Sequence, residues 1–359
     1  MVLFAATFLI IPPAHADGTV IRIVDKPHLN FEGKFRDNEL AVTLLPNGKL
    51  GKLIYGINSA HTTFIIDAAL IDEITAMAQG YTFEGKEDLG GKKSAQNWLF
   101  RLKITTSNNK VVALPYGNPD EKLLKLVAPS ELQYYLKYAQ ARLESNLGRL
   151  VDAETGWVSG RSYLIDQYIS GYSDNRRLLT GLSTITSSEE VTDLRARLAI
   201  VMNPLLDKED RAYFSYSEKG AVEVLSSRLK VISGRYQITS SSAKLPITLV
   251  NNLDTISVVN ISFIPMNSRI HIENINNVSI AAKSRQQILL PVDVVAPGNT
   301  LVLAQFTNSK GRLVGKVSKL NITSTVIDPR VAWFTTGAAV LLFLGAVTQS
   351  VRRIRKSRV

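Results

Sequence analysis

A run of 21 residues without charge, Val331 to Val351, constrains this chain more than any other stretch. As a helix rising about 1.5 Å per residue it would reach about 30 Å, the thickness of a bilayer's hydrocarbon core. Trp333 stands near one end, and an indole suits a membrane–water interface. Arg352, Arg353, Arg355, Lys356 and Arg358 crowd the other end, and basic residues beside a span mark its cytoplasmic side. The expectation is a transmembrane helix over 331–351 and a basic cytoplasmic tail over 352–359. The protein is then single-pass, type I, in the cell membrane, with the bulk of the chain extracellular. The alternative is a buried core helix, and five cations at its end speak against that.

The opposite end supports the same topology. Met1 to Ala16 carries an apolar run from Val2 to Ile11 and then Ala14-His15-Ala16, the centre and cleavage pattern of a signal peptide over 1–16. It departs from the pattern in having no Lys or Arg before the apolar run, so a retained anchor is the alternative. Basic residues exceed acidic ones, 42 against 31, for a net charge of +11. The chain has no cysteine, which excludes disulfides and thiolate metal sites. An exported domain of this kind must be stable by core burial, which its length allows.

Residues 17–52 read as an irregular lead-in with turns at Lys26-Pro27 and Pro46-Asn47-Gly48. From 53 to 233 the texture is α/β. Thr63-Phe64-Ile65-Ile66 is a short apolar run of the buried parallel-strand kind. A helix follows, with Leu70, Ile71, Ile74, Met77 and Ala78 on one face and Gly80 at its end. Ala95, Trp98, Leu99 and Leu102 mark a second helix, Val111 to Leu114 a second strand, and Leu132, Tyr135, Leu136, Ala139 and Leu143 another helical stripe. Strand, helix and strand in this order predict parallel pairing. Between Arg149 and Ser188 the chain reads as loops and short pieces. Over 234–327 apolar residues alternate, as at Leu245, Ile247 and Leu249 or Val259, Ile261 and Phe263. Turns recur every 8–12 residues, which predicts an immunoglobulin-like β-sandwich.

Several stretches carry a resemblance. They are Phe64-Ile65-Ile66-Asp67-Ala68-Ala69-Leu70-Ile71-Asp72, Ala113-Leu114-Pro115-Tyr116-Gly117-Asn118-Pro119-Asp120, Lys244 to Leu253, Leu289 to Val294 and the Arg-ended apolar run. Together they resemble an uncharacterised family of actinobacterial membrane-anchored surface proteins. The resemblance implies a signal peptide, a barrel-like α/β region, an immunoglobulin-like domain and one C-terminal transmembrane helix. It further implies a cell-envelope role, since such genes tend to neighbour the lipid II flippase gene. The fold class expected is α+β multidomain: a partial TIM-barrel-like α/β region, then the sandwich, then the span. The middle is short for a closed eight-stranded barrel.

Asp67 and Asp120 are the candidate catalytic carboxylates. Each follows a strand at the carboxyl end, where α/β sheets place ligands. Converging, they would suit acid–base glycoside chemistry. Each also directly precedes a helix, where an Asp caps free N–H groups. Trp98, Tyr116 and Asn118 are candidate binding residues, the aromatics offering a stacking surface. His15, His28, His61 and His271 are scattered without HExxH spacing, so no metal is expected. No cofactor loop is present, and the basic tail lacks the aromatic interleaving of a nucleic-acid site. The function expected is an extracellular binding or scaffold protein without catalysis, serving cell-wall assembly. Its partners would be the membrane, a cell-wall glycan or envelope membrane proteins. The alternative is a carbohydrate-active enzyme using Asp67 and Asp120.

Overall fold

The computed structural model describes residues 18–56, 61–156, 160–162, 164–325 and 329–356. The expected signal peptide and Trp157 lie outside them. The chain divides into two units: residues 1–176 with 193–221, and residues 177–192 with 222–359.

Unit 1 is built on a parallel sheet. Its elements begin with β1 (Thr19–Ile23), α1 (Glu39–Thr43), α2 (Lys49–Tyr55), β2 (Thr62–Ile66), α3 (Ala68–Gln79), β3 (Thr82–Phe83) and β4 (Lys86–Glu87). They continue with α4 (Leu89–Thr106), β5 (Lys110–Ala113), α5 (Glu121–Val127), α6 (Pro129–Leu147) and β6 (Asp152–Ala153). Helices α7 (Asp166–Leu182), α8 (Glu189–Arg197) and α9 (Lys208–Ser226) carry residues of both units. The four strands β1, β2, β5 and β6 lie side by side in chain order, with Arg22, Ile65, Val112 and Asp152 in one row. Sequential parallel order is the arrangement of a barrel wall, here four strands wide and open. Parallel strands end together, so the segments after β1, β2 and β5 share one end of the sheet.

Residues 17–52 are therefore no irregular lead-in. They hold β1, α1 and α2, and the α/β region begins at Thr19 rather than at 53. β1 escapes notice because Arg22 breaks its short apolar run. Elsewhere local chemistry sets the element ends. Phe64, Ile65 and Ile66 are all buried, as a strand covered on both faces requires. Asp67 caps α3, Asp88 caps α4 through Gly91 N, and Asp120 caps α5. Pro129 opens α6 and Gly148, at φ 69°, closes it in the left-handed region.

Unit 2 contains β7 (Leu229–Val231), β8 (Gly234–Ile238), β9 (Ser242–Asn251), β10 (Ser257–Pro265), β11 (Ile270–His271), β12 (Ile275–Ile280), β13 (Ser284–Val294), β14 (Gly298–Thr307), β15 (Leu313–Ser324) and α10 (Pro329–Lys356). The strands form one hydrogen-bonded series, β11-β13-β9-β7-β15-β14-β10-β12, with β8 also beside β15. This corrects the expected immunoglobulin-like sandwich of two separate sheets. β7 pairs on both edges, antiparallel with β9 and parallel with β15, and so joins the two halves into one curled sheet. The sheet curls far enough for β12 to approach β9 and β13. One face is apolar: Leu245, Ile247, Leu249, Val259, Ile261, Val302, Phe306, Leu320 and Ile322 are buried at alternate positions. Gly315, at φ 80°, lies where a Cβ would come within 2.5 Å of Leu229 O, so β7 and β15 can meet there only at a glycine.

The expected membrane span does not hold. Among the described residues no helix is long and apolar enough to cross a membrane. The uncharged run is the middle of the longer helix α10, which carries Arg330 at one end and Arg352, Arg353, Arg355 and Lys356 at the other. Thr335-Thr336-Gly337 and Thr348-Gln349-Ser350 dilute its apolar content further. The single-pass type I topology and the membrane span as partner fall with it, and the expected extracellular placement and envelope role lose the observation they rested on.

Candidate functional site

Buried carboxylates stand in the segments after β1, β2 and β5, Asp25, Asp67 and Asp120. Asp67 follows β2 directly. Its Oδ1 accepts Ala69 N at 3.0 Å and Gly117 N at 2.9 Å, which ties the start of α3 to the loop after β5. Burial pushes its pKa up to about 7 against those two hydrogen bonds, and neighbouring Glu73 and Asp72 push the same way. Gly117 has φ 77°, and a Cβ there would sit 3.0 Å from Ile200 N, so a glycine is needed for this approach. Asp120 Oδ1 accepts Lys122 N and Leu123 N, while Oδ2 accepts Ser162 N at 2.7 Å. Both candidate carboxylates are thus turned onto backbone N–H groups.

The other candidates separate. Trp98 is buried in the core of unit 1, its indole N–H donating to Leu50 O at 3.1 Å, and offers no stacking surface. Asn118 is buried in the turn after β5 at φ 47°, its N–H donating to Pro115 O. Tyr116 lines a cavity. Its hydroxyl donates to Asp72 Oδ2 at 2.9 Å, and burial, then Asp72, hold it protonated.

That cavity, of about 160 Å³, is lined by Asp72, Glu73, Tyr116, Tyr138, Arg142, Asp193 and Arg197 with Leu29, Ala69 and Ile200. Arg142 clamps Asp72 with two hydrogen bonds, Nε to Oδ2 at 3.1 Å and Nη2 to Oδ1 at 3.0 Å, and Asn146 adds a third at 3.1 Å. Tyr138 donates to Asp193 at 2.6 Å and meets Tyr116 edge-on, ring centres 5.0 Å apart. Arg197 donates to Asn30 O at 2.7 Å. Glu73 is buried and accepts His28 N at 3.0 Å and Leu29 N at 3.2 Å, pinning the segment after β1 to α3. Burial raises its pKa to about 7, opposed by the His28 and Arg197 charges and the two N–H bonds.

Asp72, Glu73, Arg142, Asp193 and Arg197 escape a sequence reading because their partners lie far along the chain; Asp72 and Arg142 are 70 residues apart. The signal available was the acidic pair Asp72-Glu73 inside an otherwise apolar helix. A second cluster, His28, Asp37 and Glu39, brings ligand atoms within 4.8 Å of one another. The Lys26 ammonium stands among them, 2.8 Å from Glu39 and 3.7 Å from Asp37, and already supplies the positive charge a metal would bring.

Unit 1 defines an α/β wall with a polar cavity at its carboxyl end, and unit 2 an antiparallel-rich curled sheet. Residues 137–358, more than half of the chain, match the family of unknown function DUF6049, and the chain belongs to that family. No curated protein matches. Among solved structures, alpha-2-macroglobulin of Escherichia coli from domain MG7 to the C-terminus is 12% identical with a TM-score of 0.22, covering 27% of this chain and 16% of that one. WR4, an MSP family member of C. elegans, is 11% identical with a TM-score of 0.21, covering 28% and 99%. The PapD-like domain 7 of human CEP192 is 8% identical with a TM-score of 0.21, covering 28% and 88%. The chain spans 6% of the native E. coli alpha-2-macroglobulin it also matches. Likeness at this level bears on no activity. It also gives no support to an immunoglobulin-like assignment or to the membrane-anchored surface family expected from the sequence.

Proposed function

We propose that unit 1 binds a small polar molecule in the cavity at the carboxyl end of its sheet and does not transform it. The observation that carries this is the engagement of the carboxylates. Asp67, Asp120 and Glu73 each hold two or three backbone N–H groups, and Asp72 holds Arg142, Asn146 and Tyr116. A general acid or base must exchange a proton with the substrate, and groups committed to the backbone are poorly placed for that. The same engagement makes a rigid, preorganised wall, which lowers the entropic cost of capture. The cavity is smaller than the roughly 300–1,000 Å³ of drug-sized sites, so the guest is about one ring in size.

The rival reading is acid–base chemistry at Asp67 and Asp120. One observation favours it: Asp67 titrates at about 7, where an acid–base group works best near neutral pH. Screening a panel of amino acids, small carboxylates and simple polyols by ligand-observed NMR tests the binding reading, with Arg142→Ala as the control expected to abolish any hit. Turnover of a bound compound that is lost in Asp67→Asn would establish the rival instead.

A further inference from the structure

A second cavity, of about 510 Å³, lies beside the first in unit 1, and its lining includes Phe35, Gln79, Tyr81, Lys34 and Glu87. Leu29 lines both cavities. So does α3. Ala69, Asp72 and Glu73 face the first cavity and Ala76 and Gln79 the second, with Gly80 just past the helix end. The five helical positions recur at helical spacing and form one stripe along a single face. From 69 to 79 the stripe is about 15 Å long at 1.5 Å per residue. Ala69 and Ala76 are small, which leaves room above the helix.

From this shared stripe we infer that the two cavities are subsites of one groove along α3, divided by the Leu29 side chain, and that the groove takes a short, uncharged, hydroxyl-rich chain of rings. This rests on the binding reading above and extends it. The partition is a held one: Leu29 N donates to Glu73, and Leu29 pairs with Phe35 across a tight turn in which Asn30 Oδ1 accepts Glu32 N and Lys34 N. Each cavity has an aromatic pair, Tyr116 with Tyr138 in the first and Phe35 with Tyr81 in the second, ring centres 5.0 and 4.9 Å apart. Charges of both signs line the groove, Asp72, Glu73, Asp193 and Glu87 against Arg142, Arg197 and Lys34. Asp72 and Arg142 neutralise each other directly. A strongly charged guest finds no net attraction here. A guest with ring faces for the aromatics and hydroxyls for the fixed polar groups finds both.

The test is a length series on the full chain: one-, two- and four-ring uncharged chains of glucose and of N-acetylglucosamine, followed by NMR titration and calorimetry. The expected result is binding that tightens at least tenfold from one ring to four. Gln79→Ala, an exposed change in the second cavity, should weaken the four-ring chain several-fold and leave the single ring unchanged. Single-ring binding that gains nothing with length overturns the joined groove and leaves the small-ligand reading standing. Absence of binding at every length overturns the assigned ligand class, and the panel of other small polar compounds then judges the first cavity alone. A Gln79→Ala effect equal at all lengths also overturns the inference.

Discussion

Among the described residues, unit 1 buries Asp67, Glu73, Asp120, Glu131, Arg211 and Glu218, whereas the polar residues buried in unit 2 are neutral, Asn251, Ser257, Thr300, Thr307, Asn308, Ser318 and Ser324 among them. The difference follows from backbone accounting. Helix starts and the loops after parallel strands leave N–H groups that no ladder satisfies, and carboxylates take them in unit 1. In unit 2 the antiparallel ladders satisfy most of the backbone, so a few amides and hydroxyls suffice. Charge is the costlier solution, and of these residues Glu73 lines the cavity.

The comparison predicts unequal sensitivity. The largest effect belongs to Glu131, buried and clamped by Arg195 at 3.0 and 2.9 Å with Arg176 3.9 Å away. Glu131→Ala leaves those guanidiniums unpaired and should cost about 3–5 kcal/mol in chemical denaturation, with hydrogen exchange quickening in unit 1 amides. Next comes Asp67→Ala, which frees Ala69 N and Gly117 N and should cost about 2–3 kcal/mol. In unit 2 the counterpart is Asn251, whose amide donates to Thr255 O, Ile280 O and Ala281 O while its oxygen accepts Leu253 N. Asn251→Ala should cost about 2 kcal/mol, read by exchange of unit 2 amides. An Asn251 loss larger than that of Glu131 would break the comparison.

The effect of pH is spread over three groups rather than one. Burial lifts Asp67, Glu73 and Glu218 to about 7, while in an unfolded chain they titrate near 4. Between those values the folded state binds more protons, so their contribution is fully present below about pH 4 and is lost as pH rises through about 7. Lowering pH from 8 to 6 adds about 1.4 kcal/mol for each of the three groups, so the unfolding midpoint of unit 1 should rise by roughly 10 °C while unit 2 stays flat, as followed by amide signals of each. Asp67→Asn should reduce the slope.

Helical stripes with strong periodicity were readable in advance: Leu70, Ile71, Ile74 and Met77 of α3 are buried, as are Tyr135, Leu136, Ala139 and Leu143 of α6. The strand β2 was readable for its continuous apolar run, and the helix-cap alternative at Asp67 and Asp120 for their position. α7 was not, because Ser170, Gly171, Ser173, Asp174 and Asn175 are weak helix formers and its buried Tyr172, Leu179 and Leu182 leave a sparse stripe. The single curled sheet was invisible because β7 is three residues long and its pairing with β15 spans more than eighty residues. The cavity was invisible for the same reason, its charges meeting only after the chain has wound through several elements. The apolar run at 331–351 misled because its length and uncharged composition suit a span, while α10 runs beyond it into Arg and Lys at both ends.

The double pairing of β7 has a bearing on how the molecule is made. A chain emerging from a ribosome presents β7 long before β15 exists, so one side of that short strand must wait bare while some eighty further residues are synthesised. Joining of the two halves is then a late event in biogenesis, and a nascent chain stalled ahead of residue 313 would expose an adhesive edge that a holding chaperone must shield.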